Sequence, residues 1–226
     1  MQTDPSHITQ TYPLNETYFT QGLTPYNKTS IIQSNGLYGE SAIRILDLKT
    51  GKVHKEKRLP PTVFGEGNTY INETIIFLTG KKGEAYYLTK NLTHIETKKY
   101  RGEGWGLTHN NTHLIMSNGS STLQIRDPAT FEIQRTLKVT QNEEHVENLN
   151  ELAYRNGSVY ANVWLTDKIL EINSETGKVK ATYTFPKESL LTPKEQQTAN
   201  VLNGIMNKQG TIYITGKKYP YIYETT

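Results

Sequence analysis

The chain has 226 residues, 35% of them hydrophobic and 10% aromatic, enough to bury a full core. Its 25 basic residues stand against 22 acidic ones, a net charge of +3 too balanced to mark a nucleic-acid or anionic-lipid surface. There is no cysteine, which removes disulfides, thiolate zinc sites and a cysteine nucleophile together, and no apolar run approaches the roughly 20 residues of a membrane span.

In chain order, the polar opening MQTDPSHITQ is expected to hold no signal peptide, and HITQTY at 7–12 reads as a short strand. Five copies of one pattern follow, each an apolar β-branched run, a small or polar turn and a second alternating run: TSIIQSNGLYGESAIRILD, ETIIFLTGKKGEAYYL, THLIMSNGSSTLQIRD, GSVYANVWLTDKILEIN and GTIYITGKKYPYIYE. A charged strand closes the first four, in KVHKEKRL, THIETKKY, EIQRTLKV and KVKATYTF, while the fifth copy ends without one. Segment 186–199, PKESLLTPKEQQTA, breaks the pattern and reads as a helical insertion between the last two copies. N-x-S/T triplets at Asn15, Asn27, Asn72, Asn91, Asn110, Asn118 and Asn156 would carry glycan only on a eukaryotic secretory route.

Each copy is preceded by an anchor: Gln21 in FTQGL, Glu66 in FGEGN, Trp105 in GWGL, Asn150 in LNEL and Asn203 in LNGI. The anchors are 45, 39, 45 and 53 residues apart, the period of a propeller blade built from several strands. The reading is one all-β domain over 1–226, a five-bladed β-propeller whose N-terminal strand supplies the missing strand of the last blade and hides an open edge. An irregular β-sandwich is the competing architecture, and five registered copies argue against it.

In a propeller the first strand of each blade lines the central channel, so the five anchors converge on one axis. Glu66, between Gly65 and Gly67, is the only carboxylate among them, and a channel carboxylate must be solvated or partnered. A second layer, at the ends of the second strands, holds Gly36, Gly80 or Lys81, Gly119, Trp164 and Lys217; on this register the two TGKK tetrapeptides at 79–82 and 215–218 place Lys81 and Lys217 at one repeat position. The six histidines show no metal-ligand spacing; His109 and His113 are four apart, but in a turn and strand region.

FTQGL, SNGLYGESAIR, FGEG, GWGL, LNELAY, ANVWLTD, VLNGI and TGK, in this order and spacing, resemble the plant-type glutaminyl cyclases, five-bladed propeller enzymes of plants and bacteria. The resemblance implies a metal-independent glutaminyl-peptide cyclotransferase that converts an N-terminal glutamine to pyroglutamate with release of ammonia, and needs no cofactor. It makes Glu66 the acid/base and Lys217 its catalytic partner. Gln21, Asn150, Trp105 and Trp164 would hold or polarise substrate, with a Trp indole N–H among the oxyanion donors, and Phe19 and Phe64 would wall the pocket. The expected partners are peptides or proteins with N-terminal Gln, met by a secreted or periplasmic monomer with no nucleic-acid or membrane partner. The chain departs from the family at Gly80, where a Trp is usual, at Leu14 in place of a His, and at Tyr219 in place of a Trp. A non-catalytic propeller that binds a peptide or glycan is the alternative reading, and a propeller lyase or lactonase is a third, which would need several convergent carboxylates or histidines.

Overall fold

Side chains alternate across a strand, so neighbouring Ile31 and Ile32 must point to opposite faces of one sheet, yet both are fully buried. A sheet buried on both faces needs a neighbour on each side, and the computed structural model, which describes residues 8–226, supplies these by arranging five four-stranded antiparallel sheets in a ring. Ile31 packs in the cluster shared with the preceding blade, through Met206 and Tyr213. Ile32 packs in the cluster shared with the next, through Ile75 and Phe77. Ile75 and Ile76 divide in the same way between successive clusters. The core is therefore five apolar wedges, one between each pair of neighbouring blades.

Strand β1 (Ile8–Pro13) opens the described chain. Blade one is β2 (Thr20–Pro25), β3 (Ser30–Asn35), β4 (Ala42–Asp47) and β5 (Val53–Arg58). Blade two is β6 (Asn68–Ile71), β7 (Thr74–Leu78), β8 (Glu84–Thr89) and β9 (His94–Lys99), with one 3-10 turn at Gly80–Lys82. Blade three is β10 (Leu107–His109), β11 (Leu114–Met116), β12 (Thr122–Arg126) and β13 (Ile133–Lys138). A small hairpin of β14 (Thr140–Gln141) and β15 (Glu144–His145), unforeseen in the sequence, turns at Asn142 and Glu143 with φ of 51° and 67°, the positive pair that a tight hairpin requires.

Blade four is β16 (Leu149–Arg155), β17 (Ser158–Val163), β18 (Lys168–Asn173) and β19 (Val179–Thr184). Two short helices, α1 (Lys187–Leu190) and α2 (Pro193–Gln196), occupy the stretch read as an insertion; Thr192 and Glu195 cap α2 reciprocally. Blade five is β20 (Leu202–Lys208), β21 (Thr211–Gly216) and β22 (Tyr221–Thr225), completed on its outer edge by β1, with Tyr12 opposite Ile222. The ring closes as expected, except that His7 lies outside the described residues.

The first strands β2, β6, β10, β16 and β20 touch one another in turn and lie at the axis, while β5, β9 and β13 are outermost and largely exposed. Leu14 and Tyr219, two of the departures from the glutaminyl-cyclase pattern, are core residues packed in the wedges on either side of blade five.

Candidate active site

The inner strands do not run straight into the channel mouth. The pairing of β2 with β3 slips between Thr20 and Gly22, that of β16 with β17 between Leu149 and Leu152, and that of β20 with β21 between Leu202 and Ile205. In blade two Leu78 bonds to both Glu66 and Gly67, and in blade three Ser117 bonds to both Trp105 and Gly106. All five anchors thus sit at a bulge, a device that bends a strand and re-aims a side chain. The residue after the anchor is glycine in four blades because the next inner strand passes against it: a Cβ on Gly106 would lie 2.2 Å from the Asn150 carbonyl oxygen.

These bulges open a cavity of about 330 Å³ at one mouth of the channel. Its lining includes the polar anchors Gln21, Glu66, Trp105 and Asn150, together with Lys217. Phe19, Phe64 and Trp164 line it as well, so the eight side chains singled out from the sequence share one pocket. The fifth anchor, Asn203, is buried beneath them and donates to the Thr20 carbonyl and to Gln21 Oε1, both at 3.1 Å, which leaves the Gln21 NH2 as the end free to donate. Leu37, Glu103, Leu165 and Asn200 also line the pocket and were not anticipated.

Glu66 is 9% exposed and Lys217 4% exposed. Burial pushes the Glu66 carboxyl well above the usual carboxylate range; the nearby Lys217 charge works against that shift and Glu103 adds to it. Burial lowers the Lys217 ammonium, opposed by Glu66 and Glu151. No ion pair within 4.0 Å joins the two and, among the described residues, the Glu66 carboxylate accepts no hydrogen bond, so its proton-accepting capacity is uncommitted. The Lys217 Nζ lies 4.7 Å from the centroid of the Phe19 ring, a cation–π contact that holds the ammonium without neutralising it.

The walls are aromatic. Trp105 and Trp164 meet edge to face at 5.4 Å. Gly119 and Gly36 lie directly behind Trp105 and Phe64, where a Cβ would come within 2.6 Å of each ring. The Trp105 indole donates to Glu103 Oε2 at 3.0 Å, so it is not a free oxyanion donor as the sequence reading allowed.

The two TGKK tetrapeptides are not in register. Leu23, in blade one, pairs with Gln33; Asn68 pairs with Phe77 and Ile205 with Ile214, so Gly36, Gly80 and Lys217 are counterparts and Lys81 lies one residue further on. The Lys81 side chain is 76% exposed and points away, beside Glu103 at 4.0 Å. The offset is already present in the pairing of β6 with β7, and in the 3-10 turn that follows Gly80 has φ +41° and its Cα faces the Glu66 carboxylate.

Glu151, overlooked in LNEL, occupies in blade four the place that glycine fills in the other four. It reaches across the axis to accept from the Leu23 N–H at 3.4 Å; its other oxygen is buried without a partner, and burial raises its pKa well above the ordinary carboxylate value. No cluster of three or more acidic, histidine or cysteine side chains able to hold a metal occurs among the described residues.

Fold and pocket together define a propeller with a single uncommitted carboxylate set against a buried ammonium at the channel mouth. The chain matches the glutamine cyclotransferase family over residues 1–226 and belongs to it; it is an enzyme of that class. It is 34% identical over 218 residues to the glutaminyl-peptide cyclotransferase of Arabidopsis thaliana, covering 94% of this chain and 68% of that protein. The crystal structure of Myxococcus xanthus glutaminyl cyclase superposes with a TM-score of 0.86 at 30% identity, over 99% of this chain and 98% of the other. Virginiamycin B lyase from Staphylococcus aureus, at 14% identity and a TM-score of 0.54 over 92% of this chain and 67% of its own, shares the fold alone.

Proposed function

We propose that this protein is a glutaminyl-peptide cyclotransferase that closes the N-terminal glutamine of a peptide or protein to pyroglutamate, and that Glu66 moves the proton. The observation that carries the assignment of Glu66 is a nearly buried carboxylate without a hydrogen-bond partner in a pocket that also holds Lys217. The reaction begins from an α-ammonium of ordinary pKa about 7.7–8.0. A carboxyl raised by burial accepts a proton from it more readily than an ordinary glutamate would. The freed amine attacks the γ-carboxamide carbon and a C–N bond forms. Lys217 and the Gln21 NH2 lie where they stabilise the oxyanion that develops. Glu66 then returns its proton to the departing nitrogen, the old C–N bond breaks and ammonia forms, while Glu66 takes the second proton of the attacking nitrogen and passes it to that ammonia; two protons leave the α-nitrogen, one completes the ammonia and the other departs with it as ammonium.

Trp105, Trp164, Phe19 and Phe64 confine the glutamine so that amine and amide meet, and Asn150 supplies a further amide on the pocket wall. The chemistry is metal-independent and uses no cofactor on this reading, because Lys217 provides the positive charge that a Lewis acid would otherwise supply. The enzyme works as a monomer without nucleic-acid or membrane partners. The lysine-rich outermost strands β5 and β9 support this, since they discourage edge pairing. Its location is secreted or periplasmic, a reading that rests on the resemblance to the glutaminyl cyclases.

The test is mass spectrometry of a Gln-initiated peptide incubated with the protein in EDTA, beside Glu66→Gln. Loss of one ammonia by the unaltered protein is expected, with kcat reduced roughly 10²- to 10⁴-fold in the variant. No loss from any Gln peptide would sink the enzyme reading and leave a peptide-binding propeller.

A further inference from the structure

Two leucines at the pocket mouth adopt a backbone that leucine avoids: Leu37 has φ +77° and Leu165 has φ +63°. Each follows the second-layer residue of its blade, Gly36 or Trp164. Leu165 sits at the third position of a turn closed by the Thr166 N–H to the Val163 carbonyl, where glycine or asparagine is the residue without strain. Lys218 holds the matching place in blade five, with φ +59°. Leu165 is also 66% exposed, so the chain bears backbone strain and a solvated apolar side chain at one position. Both leucines line the same cavity as Glu66. Tyr38, next to Leu37 and 60% exposed, packs edge-on against Phe64 at 5.4 Å and extends the apolar face outward. Glu103 stands on the wall as a partly exposed carboxylate.

We propose that Leu37, Tyr38 and Leu165 form the subsite for the residue that follows the glutamine, and that it selects an apolar side chain there over an acidic one. The inference rests on the cyclotransferase reading of the pocket. A glutamine whose amine and amide both reach Glu66 must have its own carbonyl, and hence the next residue, directed out through the mouth, past these side chains. An apolar second side chain covers their exposed surface. An acidic one loses that contact and meets Glu103.

The experiment compares kcat/KM for Gln-Leu-Ala, Gln-Asp-Ala and glutamine amide in the unaltered protein and in Leu37→Asn, Leu165→Asn and the double variant. Asparagine suits the left-handed backbone, so the variants keep or raise the thermal midpoint, and lost selectivity cannot be attributed to unfolding. The unaltered protein is expected to prefer Gln-Leu-Ala over Gln-Asp-Ala by about tenfold or more, through KM, and the double variant to lose most of that ratio. Turnover without this preference, or a preference unchanged in the double variant, overturns the subsite and leaves the cyclotransferase reading standing. Failure of the unaltered protein to turn over any of the three substrates overturns both.

Discussion

Replacing Gly80 with alanine adds one methyl group at the back of the Glu66 carboxylate. The change acts in two separable ways. The backbone there has φ +41°, which costs an L-residue about 1–2 kcal/mol that glycine avoids. For a domain of this size that lowers the thermal midpoint by about 2–8 °C. The new Cβ would also stand 3.3 Å from both Glu66 Cγ and Oε1, so the carboxylate must give by a few tenths of an ångström. A misplacement of about 1 Å at a reacting group can cost a hundredfold, so a shift of this size predicts a fall in kcat/KM of roughly tenfold. Gly80→Asn separates the two effects, since asparagine tolerates the left-handed backbone yet carries the same Cβ. It should keep most of the stability and still lose activity. Lys81→Ala, one residue on and solvated, should change neither quantity measurably. Differential scanning fluorimetry and initial-rate kinetics read both. If Gly80→Asn keeps full kcat/KM per folded molecule, the position of Glu66 does not limit the reaction and its assignment as the proton carrier fails.

Glu151→Gln tests the buried acid at the axis. Its folded-state pKa is raised, so between the unfolded carboxyl value and the raised folded value the native protein binds more protons than the unfolded chain, and stability falls as pH rises through that window. Removing the titration should flatten the decline of the thermal midpoint as pH rises above the unfolded value of about 4.3; parallel curves for the variant and the unaltered protein would refute it. Glu103→Ala removes the acceptor of the Trp105 indole and a negative charge that helps raise Glu66. KM should rise roughly three- to tenfold for the lost hydrogen bond, and the ascending limb of the pH–kcat/KM profile should move to lower pH; an unmoved limb would show that Glu103 does not bear on the proton carrier.

The fold was legible because a blade cannot bury its two faces alone, so the pattern of strand, turn and strand recurs wherever a neighbour must be matched. The anchors were legible for a related reason: a bulge at the channel mouth needs a small residue beside it, and Gly22, Gly67, Gly106 and Gly204 mark the place in four copies. The same regularity held the clue to Glu151. It fills that position in the fourth copy, and aligning the residue after each anchor would have exposed it. The two TGKK segments misled because identical letters suggest identical places, whereas register is set by strand pairing, and the tetrapeptide begins one residue later relative to the inner strand in blade two than in blade five. Leu37 and Leu165 carry their signal in φ, which no residue letter reveals. Glu103 enters the pocket by reaching back to the Trp105 indole, a contact outside any repeat.

The charge balance at the axis follows from these placements. Glu66, Glu151 and Lys217 all feel one another's charge, and each is at least nine-tenths buried. One cation can support one carboxylate in such surroundings; ionising both would leave the interior with a net negative charge that water cannot reach to solvate. Glu151 accepts from the Leu23 N–H at the axis and does not line the cavity, whereas Glu66 does, so on the proposed mechanism the charge falls to Glu66. On the proposed mechanism, an incoming α-ammonium meets a carboxylate whose ionised form is favoured by Lys217 and opposed by burial. Transfer of the proton replaces a desolvated ion pair with a neutral acid and a neutral amine, and the neutral amine is the nucleophile. With Lys217 left as the uncompensated charge, the field in the pocket points toward the oxygen of the γ-carboxamide where negative charge must next develop. The same lysine therefore favours the ionised Glu66 before the transfer and the oxyanion after it, which is why replacing it should impair both steps.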